Sequence, residues 1–295
     1  MWNTRSLTHV LSSQQFLRFY QIMHYPVPNN AETYFQYFTA DNKVKWHTSE
    51  NDQLNCNFSR SKKCKYMDEY LDEIKRLELI FKSIPFVEQI FLCNSITFNA
   101  LDDNSDIDLF IITKPWRIRS TKLWSMILFS LKWVKRYKSF VRKKICLSFF
   151  VTSDSKNLYP ISLSSIDIYL CYWIAHLVQI YKTEDITQEI ENAIFSQNKW
   201  ISWVLPNFPW RQTISLWIDP FSWNTKFKNF IEHIGSGIVW DIWELIFKSI
   251  QKLIIKLKIQ FNPEKNKDVI ISNSMLKFHQ DVREKISLLY NIKTK

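Results

Sequence analysis

The scarcity of glycine constrains this chain more than any other feature of its sequence. Only Gly235 and Gly237 occur among 295 residues, whereas average usage of about 7% would give roughly twenty. Glycine is the residue that most readily takes positive φ angles and lets a backbone approach a ligand closely. Any phosphate-binding loop in this protein must therefore work almost without glycine.

Tryptophan shows the opposite bias, with thirteen residues beside the two glycines. This imbalance raises a decoding hypothesis: if the source reads the codon UGA as glycine, some of these tryptophans are glycines in the natural protein. Trp116, which follows Pro115, is an example. UGG codons at every tryptophan would end the hypothesis.

The composition is that of a folded protein. Hydrophobic residues make up 46% of the chain and charged residues 23%, which excludes a disordered or low-complexity chain. No apolar stretch reaches about 18 uncharged residues, and the N-terminus lacks the apolar core of a signal peptide. The five cysteines form no CxxC pair, as expected for reduced thiols. We therefore expect a cytoplasmic protein without a transmembrane segment.

The net charge of +11 is concentrated in one segment, which we call the basic block, residues 114–144. No Asp or Glu occurs between Leu109 and Ser153. The eleven cations of the block are Lys114, Arg117, Arg119, Lys122, Lys132, Lys135, Arg136, Lys138, Arg142, Lys143 and Lys144. Interleaved with aromatic residues, such a block can attract phosphates, single-stranded nucleic acid or an anionic membrane. The alternative is a solvated helix face.

Apolar periodicity and breakers divide the chain into three parts. Residues 1–66 are expected to form a small helical or winged-helix-like unit, residues 67–158 an α/β core, and residues 159–295 a helical region. The helices predicted in the core are Met67–Lys82 and Lys122–Val134, and its strands are Phe86–Cys93, Asp106–Thr113 and Ile145–Val151. The later helices are expected at Ile166–Tyr181, Thr187–Val204, Lys226–His233, Val239–Lys258 and Gln280–Tyr290.

The predicted helix Val239–Lys258 combines an apolar stripe with three lysines, Lys248, Lys252 and Lys256. Such a helix can lie on a membrane surface. A bundle helix with a buried stripe and an exposed lysine face is the favoured alternative.

The segment Phe91–Thr113, FLCNSITFNALDDNSDIDLFIIT, carries the chemistry. Asp106 and Asp108 alternate with apolar residues, so in a strand both carboxylates leave the same face. Two carboxylates on one rigid face suit a divalent metal pair. Ser95, at the end of the preceding strand, could hold a phosphate opposite the metals.

This segment resembles the nucleotidyltransferase superfamily of polymerase-beta-like enzymes. Its signature is a strand, Gly-Ser, about ten residues, and Asp-x-Asp in the next strand; here Asn94-Ser95 and Asp106-Ile107-Asp108 match. The phrases Ile84–Val87, Ser105–Thr113 and Arg117-Ile118-Arg119 are similar to one bacterial branch. The resemblance implies an α/β nucleotidyltransferase-like core, in which NTP supplies a nucleoside monophosphate to a hydroxyl acceptor.

The resemblance also implies roles for single residues. Asp106 and Asp108 would bind Mg²⁺ or Mn²⁺ and carry catalysis, and Ser95 with Asn94 would bind the leaving pyrophosphate. Arg117, with Arg119 or Lys122, would neutralise the triphosphate. The acceptor and the preferred base are not implied.

Two departures from the signature stand out. Asn94 replaces the glycine, and it either narrows the pocket or donates a hydrogen bond itself. A third carboxylate is missing, because the strand ICLSFFV offers Ser148 at the expected inward position. The site is then two-carboxylate, borrows Asp154, or is degenerate. The alternative function is a non-catalytic protein that binds nucleotide, or nucleic acid through the basic block.

Overall fold

In the computed structural model, the described residues are 66–98, 100–136, 141–162, 167–183, 194, 197, 198, 218, 223–234, 237–261 and 269–278. The predicted N-terminal unit, residues 1–66, lies outside them except for Tyr66. The predicted helix Gln280–Tyr290 lies outside them entirely, as does most of Thr187–Val204.

The described part of the chain has a mixed α/β fold built on one six-stranded sheet. Its helices are α1 (Met67–Arg76), α2 (Glu78–Ser83), α3 (Ile118–Leu131), α4 (Ile168–Ala175), α5 (Trp223–Ile234) and α6 (Ile238–Phe261). Its strands are β1 (Val87–Cys93), β2 (Ile107–Thr113), β3 (Ile145–Thr152), β4 (Val178–Lys182), β5 (Ile270–Ile271) and β6 (Met275–Lys277). The strand order is β4-β1-β2-β3-β6-β5. Only β2 and β3 run parallel, and the other neighbours pair antiparallel.

The three strands predicted in the core are confirmed to within one residue at each end. The predicted helix Met67–Lys82 is divided at Leu77, which lies between α1 and α2. Helix α3 begins four residues earlier than expected, at Ile118. It connects the parallel pair β2 and β3, as parallel neighbours require.

The predicted helix Ile166–Tyr181 is wrong in its second half. Asp167 caps α4 by accepting a hydrogen bond from the Leu170 amide at 2.9 Å, but the helix ends at Ala175. The chain continues as β4, which pairs with β1. This run is apolar on all sides, and such a pattern fits a buried strand as well as a helix.

The C-terminal region also supplies more than helices. Strand β6 pairs with β3 and β5 pairs with β6, so three of the six strands come from beyond residue 158. The expectation of a helical C-terminal region is therefore corrected, and the sheet crosses the predicted boundary. Among the described residues, no helix is both long and apolar enough to cross a membrane.

The two faces of the sheet differ in character. Ile107, Leu109 and Ile111 of β2 are fully buried in a core that includes residues of α1, α2 and α3. Phe110 points to the opposite face, where its ring lies 5.0 Å from Phe149 and 5.3 Å from Trp173 of α4. Since side chains alternate along a strand, Asp106 and Asp108 belong to this second face.

Within the described ranges, five non-glycine residues have positive φ angles: Phe86, Asn94, Trp116, Trp133 and Lys143. The chain therefore places other residues in conformations that glycine usually takes.

Candidate metal centre

The ends of three neighbouring strands bring acidic and thiol side chains together. Cys93, the last residue of β1, pairs with Asp108 at the start of β2. Asp108 in turn pairs with Cys146 at the start of β3. Asp106 lies just before β2, two residues from Asp108 and on the same face. The sequence prediction that both carboxylates share one face of a strand agrees with this arrangement.

One possible ligand atom from each of Asp106, Asp108 and Cys146 lies within 4.8 Å of the others. Asp108 and Cys146 are buried, while Asp106 is half-buried. Two carboxylate oxygens and a thiol sulfur form a donor set that can bind a divalent cation. We call these three residues the metal cluster.

Cys146 was missed by sequence reasoning, which placed Ser148 at the inward position of β3. The register explains the difference: Asp108 pairs with Cys146, whereas Phe110 pairs with Phe149, so β3 contains an extra residue in between. Such a bulge shifts which side chains share a face, and no local pattern in ICLSFFV indicates it.

Asp154 does not complete the cluster. Because β2 and β3 are parallel, Asp106, Asp108 and Cys146 lie at the starts of these strands, and Asp154 follows the end of β3. At about 3.3 Å per residue, this places Asp154 roughly 20 Å away. The structure therefore removes the option that Asp154 is borrowed as a third carboxylate.

The cation at the cluster is Arg136. Its guanidinium donates a hydrogen bond to Asp106 Oδ2 at 2.6 Å and lies 3.8 Å from Cys146 Sγ. Its backbone amide donates to the Ile145 carbonyl, which fixes it beside β3. Burial lowers the pKa of Arg136, but Asp106, Cys146 and Asp108 outweigh this and raise the pKa. Arg136 therefore keeps its positive charge beside the cluster.

The predicted nucleotide-binding cations Arg117, Arg119 and Lys122 are not brought to the cluster. They surround the start of α3, which follows the end of β2, roughly 15 Å along the strand from Asp108. Arg117 is paired with Asp241 at 2.6 Å, and Arg119 with Glu244 at 3.8 Å. The Lys122 ammonium lies 3.0 Å from the centre of the Phe278 ring.

The basic block as a whole is largely neutralised by acids from elsewhere in the chain. At least six of its ten cations in the described part of the chain form ion pairs: Lys114 with Glu232, Arg117 with Asp241, Arg119 with Glu244, Arg136 with Asp106, Arg142 with Glu69 and Asp103, and Lys143 with Glu69. Most of the block therefore holds helices and loops to the sheet.

The turn after β1 has a left-handed backbone conformation at Asn94, the position where the signature has glycine. Asn94 has a φ of 59° and begins a 3-10 turn over Asn94–Ile96. Asparagine accepts the left-handed conformation better than most residues. Its side-chain oxygen accepts a hydrogen bond from Trp173 Nε1 at 2.8 Å, which holds this side chain against α4. Ser95 is half-buried beside it.

Two further groups near this face have structural roles. Burial strongly raises the pKa of the Cys93 thiol, and Asp108, Cys146 and Asp106 raise it further, so Cys93 stays protonated at neutral pH. His176 Nδ1 lies 2.8 Å from the Tyr172 carbonyl, and its ring packs 4.1 Å from Phe98. His279 lies outside the described residues.

No family model, curated protein or solved structure matches this chain.

Proposed function

We propose that this protein is a nucleotidyltransferase-like protein that binds a divalent metal and an NTP and transfers a nucleoside monophosphate to a hydroxyl acceptor. One observation carries the proposal: Asp106 and Asp108 leave one face at the start of β2, beside the turn that ends β1. This is the arrangement implied by the resemblance of Phe86–Thr113 to polymerase-beta-like enzymes.

The metal cluster fits Mg²⁺ or Mn²⁺ by its chemistry. Proteins hold Mg²⁺ through one or two carboxylates together with substrate phosphates, and Asp106 and Asp108 supply these carboxylates. Cys146 adds a softer ligand beside these carboxylates, of a type that neither Mg²⁺ nor Mn²⁺ prefers. A bound metal of this kind neutralises phosphate charge and positions the α-phosphate for attack.

The chain's own residues then position the substrate. The Ser95 hydroxyl, in the turn that follows β1, would hold the leaving phosphates. Arg136 can turn from Asp106 to the triphosphate, because its side chain is 41% exposed. In the reaction, the acceptor oxygen bonds to the α-phosphorus and the bond to the bridging oxygen breaks. Pyrophosphate leaves, and the hydroxyl proton passes to the solvent.

The second candidate is a catalytically degenerate nucleotide-binding protein. It is favoured by Cys146, which stands beside Asp108 where the resemblance calls for a third carboxylate. Binding of nucleic acid through the basic block has weaker support, since at least six of its ten described cations are already paired with carboxylates.

Isothermal titration of each NTP in the presence of Mg²⁺ or Mn²⁺ tests the binding site. We expect metal-dependent binding by the wild type and its loss in the Asp106→Asn, Asp108→Asn double variant. Asp103→Asn is the matched control, because Asp103 is an exposed acid of the same loop outside the cluster. Absence of NTP binding, or equal binding by the double variant, refutes the proposed site.

Transfer from labelled NTP to acceptors in a cell extract separates the two candidates. A catalytic protein yields labelled product that disappears in the double variant. A degenerate protein binds NTP without product, and Cys146→Asp, which restores a third carboxylate, should then strengthen Mg²⁺-dependent binding.

A further inference from the structure

Helix α6 packs against the protein through polar contacts at its N-terminal end. The Glu244 carboxylate is buried and accepts hydrogen bonds from the backbone amides of Arg119 and Ser120, at 3.3 and 2.8 Å. Arg117 pairs with Asp241, and the ring of Trp240 packs 5.6 Å from Phe86. These contacts fix which side of α6 faces the start of α3 and Phe86.

Five aliphatic residues of α6 face the opposite way. We call them the α6 stripe, and each is between 40% and 62% exposed: Ile242, Leu245, Ile246, Ile250 and Leu253. Their spacing of three or four residues places them on one side of the helix. The expectation of a bundle helix with a buried stripe is therefore wrong for these residues.

One polar residue interrupts the α6 stripe, and its hydroxyl is already satisfied. Ser249 donates a hydrogen bond from its Oγ to the Leu245 carbonyl at 3.0 Å. The stripe therefore exposes branched aliphatic surface with no unpaired hydroxyl. An apolar surface of this kind marks a site that is covered in use.

The charges beside the stripe have a single sign. Between Glu244 and the end of α6 at Phe261 there is no acid, but there are four lysines: Lys248, Lys252, Lys256 and Lys258. Three of them recur at intervals of four residues, which forms a row along one side of a helix. The one exposed acid of α6, Asp241, is paired with Arg117.

We propose that α6 is an interfacial helix that binds the surface of an anionic lipid bilayer. The α6 stripe would enter the boundary between headgroups and acyl chains, while the side chains of Lys248 and Lys256 reach the lipid phosphates. At about 1.5 Å per residue, its 24 residues lie along roughly 36 Å of surface. The four lysines keep the helix on the bilayer rather than through it, and the chain's net charge of +11 adds long-range attraction.

Vesicle flotation with the full chain tests this proposal. The probes are phosphatidylcholine vesicles with and without about one third phosphatidylglycerol. We expect binding to the anionic vesicles only, weakened about thirtyfold by Lys248→Gln with Lys256→Gln, since each lysine near the surface contributes about 1 kcal/mol. The pair Leu245→Gln and Leu253→Gln should reduce binding at least about tenfold by removing two inserting side chains.

Leu79→Gln is the matched control, because Leu79 is a leucine of α2 that is equally exposed, at 58%. It should bind vesicles like the wild type. Absence of wild-type binding overturns the proposal, and so does equal weakening by Leu79→Gln. A wild-type dimer in sedimentation that the stripe variants dissociate, without vesicle binding, would instead assign the stripe to a second copy. The readout does not involve NTP, so failure of the proposed nucleotide site leaves this test unaffected.

Discussion

Trp133 occupies a helix C-terminus that ordinarily requires glycine. Helix α3 ends at Leu131, and Trp133 follows with a φ of 56°. The Trp133 amide donates to the Ser130 carbonyl and the Val134 amide to the Phe129 carbonyl, at 3.0 and 3.1 Å. This is the hydrogen-bond pattern of the Schellman motif, in which the left-handed residue is usually glycine.

Trp116 occupies a turn with the same requirement. The Arg117 amide donates to the Lys114 carbonyl at 3.3 Å, Pro115 is the second residue of the turn, and Trp116 is the third, with a φ of 62°. A type II turn takes proline at the second position and a positive φ, hence glycine, at the third. We therefore predict that Trp116→Gly and Trp133→Gly each stabilise the protein.

The magnitude follows from two opposing effects. The left-handed conformation costs a residue with a Cβ about 1–2 kcal/mol, and glycine avoids this cost. Glycine also makes the unfolded chain more flexible, which lowers the free energy of unfolding by about 0.4–1 kcal/mol. Trp116 and Trp133 are 70% and 81% exposed, so removing the rings forfeits little packing. The net gain is about 0.5–1 kcal/mol for each substitution, and the two sites should be additive because they flank opposite ends of α3.

Urea unfolding of the two single variants and the double variant measures this gain. Trp124→Gly is the control, since Trp124 lies inside α3, where glycine costs about 1 kcal/mol or more. Destabilisation by both Trp116→Gly and Trp133→Gly would refute the reasoning. A stabilised double variant supports the decoding hypothesis, which peptide mass mapping of the protein from its natural source then decides at residues 116 and 133.

Two other outcomes are expected. Arg136→Gln removes a cation that competes for Asp106, so Mn²⁺ should bind about two- to fivefold more tightly by electron paramagnetic resonance, given the roughly 0.5–1 kcal/mol of an exposed ion pair. The similarly exposed Arg142→Gln should leave Mn²⁺ binding unchanged, and a loss of affinity in Arg136→Gln counts against competition. Burial raises the pKa of Tyr70 from 10.0 to about 12, so the folded state keeps the proton longer than the unfolded state. The stabilisation of the folded state by protonated Tyr70 is complete below pH 10 and is lost as the pH rises through about 12. Tyr70→Phe lacks this dependence, and its free energy of unfolding should fall about 1.4 kcal/mol less than that of the wild type between pH 8 and pH 11; equal falls would contradict it.

The sequence predicts the centre of the sheet well because the signals there are local. Strands β1, β2 and β3 each show a short apolar run between polar breakers, and alternation in Asp106–Leu109 assigns both carboxylates to one face. The same period-two rule holds in the structure. What local patterns could predict was therefore the position of Asp106 and Asp108 and the turn at Asn94.

The rest of the cluster depends on pairings between distant segments. Cys146 reaches Asp108 through a bulged parallel register, and Arg136 reaches Asp106 because α3 returns the chain to the start of β2. The sequence predicts helix where β4 lies, because an apolar run of this kind suits a helix as well as a buried strand. Charge counting likewise could not show that the basic block is neutralised, since partners such as Glu232 and Glu244 lie more than a hundred positions away.

The order of the strands has a consequence for synthesis of the chain on the ribosome. The central strands β1, β2 and β3 emerge early, but β3 has no partner on its outer side until β6 pairs with Phe149, Phe150 and Val151. The Thr152 hydroxyl donates a hydrogen bond to the Ser274 carbonyl, which lies 122 positions later in the chain. A nascent chain thus carries an open apolar strand edge while more than a hundred further residues are made, and such edges recruit other unfinished chains. Completion of β6 closes this edge of β3.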